Sequence, residues 1–154
     1  MKIIRDRDRS PGLEGFLERP LFAHLATASE AGPRSSPVWF LWMDALWVIG
    51  NDRTDTFPER IRNDPRCAVS IVDFNAETGG VEHVGMRGRA SVRPFEAERA
   101  RTLLRRYLGQ DETLWDARFR NTLTDSGNVL IAFTPETAVV RDVSYAVVAD
   151  AELR

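Results

Sequence analysis

The chain has one cysteine, Cys67, in 154 residues, so an intrachain disulfide is impossible and a cysteine-rich metal centre is excluded. Histidine is nearly as scarce. Of His24 and His83, the first has no cysteine or acidic residue at metal-ligand spacing, which argues against a metal site. Lysine occurs once, at Lys2, and every other basic residue is arginine, a pattern expected of codon bias in a GC-rich bacterial genome. No excess of either charge exists. The 21 basic and 23 acidic residues leave a formal net charge of −2, which gives no electrostatic case for a nucleic-acid or anionic-membrane partner. No apolar run approaches the roughly 18 residues needed to cross a bilayer. The charged N-terminus, Met1 to Arg9, lacks the apolar core of a secretory signal, so a cytoplasmic protein is expected. A Gly-x-Ser-x-Gly elbow, a Walker loop and a dinucleotide-binding glycine fingerprint are all missing, so those hydrolase, NTPase and dinucleotide readings have no local support.

What is present is an ordinary globular composition, 43% hydrophobic and 29% charged, enough to bury a continuous core in one domain. Ser10-Pro11 reads as a helix start, and Leu13, Phe16 and Leu17 at i, i+3, i+4 predict a short amphipathic helix to about Glu18. Strands are expected at Phe22–Thr27, Ser36–Trp42 and Leu46–Gly50, the first followed by the polar turn Ser29–Pro33. The connection Met43-Asp44-Ala45 is too short for a parallel return, so the strands it joins must be antiparallel. Thr56 and Glu59 have capping-box spacing ahead of a helix that ends by Asn63, before Asp64-Pro65. Further strands are expected at Cys67–Phe74, Val81–Val92, Val129–Phe133 and Thr137–Val143, the last two split at Thr134-Pro135-Glu136. Helices are expected over Phe95–Leu108 and about Thr113–Asn121. Hairpin-length links and grouped helices predict an α+β fold, a six- to seven-stranded antiparallel split β-barrel with short flanking helices.

Three segments can carry chemistry. Arg34-Ser35-Ser36-Pro37-Val38-Trp39 puts hydroxyls, strand-edge amides and aromatics together, which suits a planar heteroaromatic ligand; the same pattern also describes a packed barrel strand. Gly50, Thr54 and Thr56 sit at a strand end and helix start, where free N–H groups favour an anion, with Arg53, Arg60 and Arg62 as candidate phosphate partners. A capped surface helix with solvated arginines reads the same way. His83 lies in a strand beside Gly85 and Gly88, glycines that mark a bulge, a bend or a close approach.

In order and spacing these segments resemble the pyridoxamine 5′-phosphate oxidase-like family of FMN-binding split barrels. The resemblance is carried by Gly32–Phe40, by Leu46–Gly50, by Arg60-Ile61-Arg62-Asn63-Asp64-Pro65-Arg66 running into Cys67–Val72, and by Gly85-Met86-Arg87-Gly88-Arg89-Ala90. It spans roughly Phe16 to Val143, inside a single domain of residues 1–154. It implies a homodimer with two cofactor sites built by both subunits, acting as an FMN-dependent oxidoreductase on an unknown small molecule. Ser36 to Trp39 would run along the flavin ring, with Arg34 at the start of that strand. Ile49, Gly50 and Thr54-Asp55-Thr56 would lie near the ribityl phosphate, Arg60 would contact the phosphate, and His83 would meet the flavin. Two departures bear on this. The Ser-Arg-Lys-like run that precedes the short helix in the family is replaced by Thr54-Asp55-Thr56-Phe57, without the lysine and with an acid in the stretch, and the region after Ser144 lacks the arginine- and tryptophan-bearing tail of true pyridoxamine-phosphate oxidases. A deazaflavin-dependent reductase on the same fold, and a non-catalytic flavin- or haem-binding protein, are the alternatives.

Overall fold

Alternating burial along the strands decides which side of the sheet carries the core. The computed structural model describes residues 1–6 and 12–148. Its elements, in chain order, are β1 (Lys2–Asp6), α1 (Leu13–Leu17), β2 (Ala23–Thr27), β3 (Arg34–Val38), β4 (Leu41–Trp42), β5 (Leu46–Asn51) and α2 (Phe57–Asn63). There follow β6 (Arg66–Asn75), β7 (Gly80–Pro94), α3 (Ala97–Leu108), a 3-10 turn (Glu112–Leu114), α4 (Ala117–Thr122) and β8 (Asn128–Asp142). The expected helix start at Ser10-Pro11 lies partly outside the described residues. Its continuation from Leu13 is helical as the spacing predicts.

The strands form one sheet in the order β3-β2-β6-β7-β8-β5-β4, antiparallel along this path, with β1 added in parallel beside β8. This is an α+β split barrel. Ala23, Leu25, Val69, Ile71, Val84, Met86, Ala138 and Val140 turn inward onto Phe16, Phe40 and Phe133. A second apolar layer, Trp47, Leu103, Leu104, Trp115 and Leu130, packs α3 and the segment after it onto the outside of β5 and β8. Strand β5 is therefore covered on both faces, which is why Leu46, Trp47 and Val48 are all buried.

The structure departs from the sequence reading where tertiary partners override local pattern. The expected strand Ser36–Trp42 is two strands, because Trp39-Phe40 leaves the β2 edge of the sheet and joins the β5 edge. The backbone is satisfied there by α3 instead of a ladder: Phe40 N–H donates to the Tyr107 hydroxyl at 3.1 Å, and that hydroxyl donates to the Leu21 carbonyl at 2.8 Å. The two strands expected at the end of the chain are one, β8. Strand β7 pairs along its whole length, and a register shift at Arg87/Gly88 absorbs one residue as a bulge beside Pro135. On its other edge β8 changes partner in the same place, from β5 over residues 128–133 to β1 over residues 137–140. Gly88 is required here, since a Cβ would stand 2.1 Å from the Thr134 carbonyl oxygen. The capping box does not form: Thr56 is already in helical conformation and makes no side-chain cap. The helical stretch expected from Thr113 divides into the 3-10 turn and α4, each capped by an aspartate, Asp111 and Asp116.

Candidate functional site

Strand β3 is an edge strand, and where it hands over to Trp39 a cavity of about 390 Å³ opens between β3, β5, the start of α2 and the α3–α4 layer. Five of the residues expected at a cofactor site line it together: Pro37, Val38, Trp39, Ile49 and Asp55. Phe22, Phe57, Leu103, Leu104, Phe119 and Thr122 complete the wall. Trp39 is held rigidly. Its ring stacks on Tyr107 with centroids 4.5 Å apart and planes 2° from parallel, and on Phe119 at 5.2 Å and 20°. Burial raises the Tyr107 pKa above the ordinary phenol value, so the hydroxyl remains a protonated donor to Leu21 and fixes the stack.

The turn leading to α2 is knitted internally. The Asp55 carboxylate accepts from Asn51 N–H at 2.8 Å through Oδ2, and the Asn51 side chain reaches Asn128 at 2.8 Å and Arg53 N–H at 2.9 Å. Asp55 also lines the cavity, and among the described residues its carboxylate accepts this one hydrogen bond. Thr54 is exposed on the turn. Gly50 lies under the Phe57 ring, where a Cβ would come within 2.9 Å of it, so this glycine serves packing. Thr56 accepts a long 3.4 Å bond from Arg34, which joins β3 to the start of α2, and Ser36 stands half-buried on β3 opposite Leu25.

The arginines of this turn do not form the expected phosphate cradle. Arg60 is buried and turns toward the β2–β3 connection, donating to the Thr27 hydroxyl at 2.8 Å, the Ser29 hydroxyl at 2.8 Å and the Gly32 carbonyl at 2.7 Å. Arg62 forms a two-bond fork with Asp52 at 2.8 and 2.9 Å, and Arg53 pairs with Asp125. A planar apolar ring therefore suits the chamber, whose lining is apolar and aromatic apart from Asp55 and Thr122. A phosphate finds no free guanidinium among Arg53, Arg60 and Arg62.

His83 does not join this chamber. It lines a second cavity, about 360 Å³, on the outward face of β2, β6, β7 and β8, together with His24, Ser35, Ser70, Arg87 and Arg141. Its Nε2 lies 3.1 Å from the Ser70 hydroxyl. Desolvation, then the charge of Arg141, holds its pKa below the ordinary imidazole value.

The matching family model, described as pyridoxamine 5′-phosphate oxidase, covers residues 11–140. The chain belongs to that family. No curated protein matches it significantly. Among solved structures, family-like folds recur. A conserved hypothetical protein from Mycobacterium tuberculosis superposes with a TM-score of 0.73 at 15% identity, over 96% of this chain and 98% of that one. An F420 reductase gives 0.63 at 25% identity over 83% and 96%, and an FAD-binding protein from Mesorhizobium loti gives 0.56 at 20% over 81% and 86%.

Sequence reasoning found the strand side of the chamber and missed the helix side. Phe22, Leu103, Leu104, Phe119 and Tyr107 carry no motif. The apolar face of α3 announced burial, yet nothing in its periodicity says that the burial is against Trp39.

Proposed function

We propose that the protein is a flavin-dependent oxidoreductase of the pyridoxamine 5′-phosphate oxidase family, acting on a small molecule and working as a homodimer. The observation that carries this reading is the aromatic chamber at the β3 edge, where Pro37, Val38, Trp39, Ile49 and Asp55 converge. When bound, a flavin supplies the hydride or electron chemistry. The chain's part is to orient the ring against Trp39, offer the Asp55 carboxylate to a ring N–H, and exclude water with Leu103, Leu104 and Phe119. No side chain in the chamber is assigned as an acid or base.

FMN is the first candidate for the group held there. The likeness to an F420 reductase, the highest identity among the structures named above, favours a deazaflavin-dependent reductase as the second reading. The dimer reading is supported by the outward face of β2, β6 and β7, where Ala26, Ala68, Ser70 and Gly85 let another sheet approach closely while Val72 and Phe74 remain exposed. The absorbance spectrum of the purified protein, followed by titration with FMN and with a deazaflavin, tests the cofactor. Flavin bands with saturable FMN binding are expected, and a colourless protein that binds neither ligand refutes it. Sedimentation tests the dimer, and a monomer at every concentration refutes it.

A further inference from the structure

The chamber at the β3 edge combines aromatic rings with a single charge. Phe22, Trp39, Phe57 and Phe119 line it, Asp55 is its one ionisable residue, and no lysine, arginine or histidine faces it. The arginines of the adjoining turn are engaged elsewhere: Arg53 with Asp125, Arg62 with Asp52, and Arg60 with the β2–β3 connection. Arg34 reaches the turn at Thr56 without lining the cavity. Among the described residues Asp55 therefore has no cationic partner, and its side chain accepts one hydrogen bond, from Asn51 N–H. The rings show the same want of a cation. Guanidiniums lie over Phe16, Phe40, Trp47 and Phe119, whereas Phe22, Trp39 and Phe57 carry none among the described residues. Burial does not account for Phe22, which is 55% exposed with its ring 6.4 Å from that of Trp39.

These two features select for the same kind of molecule. Aromatic faces carry negative partial charge and attract cations. A carboxylate in a partly desolvated cavity attracts an ammonium group and repels a carboxylate or phosphate, and no lining guanidinium offsets that repulsion here. Val38, Ile49, Leu103 and Leu104 leave the rest of the wall apolar, which suits a hydrocarbon or aromatic body. We propose that the chamber selects a small aromatic cation, an arylalkyl ammonium ion, with its charge at Asp55 and its ring among the aromatic and leucine side chains. The proposal rests on the reading of this chamber as the protein's ligand site and names the substrate class, through a charge preference that the flavin reading leaves open.

The test titrates the full-length protein at pH 7 and constant ionic strength with three probes of one shape: phenethylamine as the cation, phenethyl alcohol as the neutral form and hydrocinnamate as the anion. Heat of binding and melting temperature are read. Wild type is expected to bind the amine saturably, about ten-fold more tightly than the anion, with the alcohol between them. Asp55→Asn keeps an acceptor for Asn51 N–H and removes the charge, so it should erase the preference by weakening the amine. Glu59→Gln removes an equal charge from an exposed α2 position outside the cavity and should leave the preference intact. Phe22→Ala should weaken the amine several-fold with the melting temperature near that of wild type, because the ring is exposed. A non-saturable amine response, equal affinity for cation and anion, or equal losses in Asp55→Asn and Glu59→Gln overturns the proposal. The three probes on wild type decide it even where a variant fails to fold. Flavin titration of the same protein separates the two readings. Saturable flavin binding with no charge preference among the probes overturns this proposal and keeps the flavin reading, and a cation preference without flavin binding does the reverse.

Discussion

Replacing Arg60 by Met tests the reassignment of this residue from ligand contact to architecture. The side chain is 9% exposed and runs from α2 to the β2–β3 connection, where it serves the Thr27 hydroxyl, the Thr27 carbonyl, the Ser29 hydroxyl and the Gly32 carbonyl. That connection ends in a glycine with φ +98°, so the arginine ties down a turn whose backbone conformation is already specialised. Each hydrogen bond to a charged group contributes about 1.5–3 kcal/mol, but the four share one guanidinium and do not add. Methionine also relieves the cost of keeping a cation away from water, which offsets part of the loss. A net destabilisation of about 3 kcal/mol remains, mostly from acceptors left unsatisfied. For a domain of this size that lowers the melting temperature by roughly 9 °C. Arg60→Lys keeps the charge and loses the fork, so about half that shift is expected. Thermal and urea denaturation followed by circular dichroism read the effect, and ligand titration on the folded variant reads the rest. The FMN-to-riboflavin affinity ratio should not change, because the guanidinium faces the β2–β3 turn. A melting temperature within about 2 °C of wild type, or a selective loss of FMN, refutes the reasoning.

Gly88→Ala should destabilise by about 3 kcal/mol or more, since the new methyl meets the backbone of Thr134 and Pro135, at 2.1 and 2.8 Å, in a bulge that three strands share; urea denaturation at wild-type-like midpoint would contradict this. The Arg66 fork on Asp64 holds that carboxyl down to about 2, against an ordinary 3.8. A depressed carboxyl contributes stability above its unfolded value and loses it as pH falls toward the folded one. Wild type should therefore exceed Arg66→Gln in urea midpoint at pH 7, with the gap closing between about pH 4 and 2. A gap that persists at pH 2 would place the effect outside this pair.

How much of this was legible beforehand depends on where each signal resides. Period-two alternation marks β2, β6 and β7, each of which buries one face against a common core, whereas β5 is a short apolar run because both of its faces are covered. The break expected at Thr134-Pro135-Glu136 is real as a bulge and a change of partner, yet it does not end the strand, because β7 pairs across it. Proline and a polar neighbour signal a disturbance of the ladder without saying whether a second strand will bridge it. The reverse error at Trp39-Phe40 has the same origin. The run is strongly β-forming, and only the Tyr107 hydroxyl, some 67 residues away in sequence, lets the backbone leave one sheet edge for the other. Strand β1 was invisible for lack of alternation in a charged segment, and it is recruited by the part of β8 that β5 no longer covers.

The site residues sort by the same logic. Pro37, Val38, Trp39 and Ile49 line one chamber because burial at a strand edge follows from hydrophobicity, which the sequence displays directly. The arginines were hard to place from sequence because a guanidinium's role is set by what lies opposite it, and those partners are remote: Thr27 for Arg60 and Asp125 for Arg53. In the sequence Arg60 and Arg62 looked free, and the structure gives each of them partners within the chain. An arginine near a helix start attracts attention because anion sites favour such places, but it is also where a fold most needs donors for turn carbonyls.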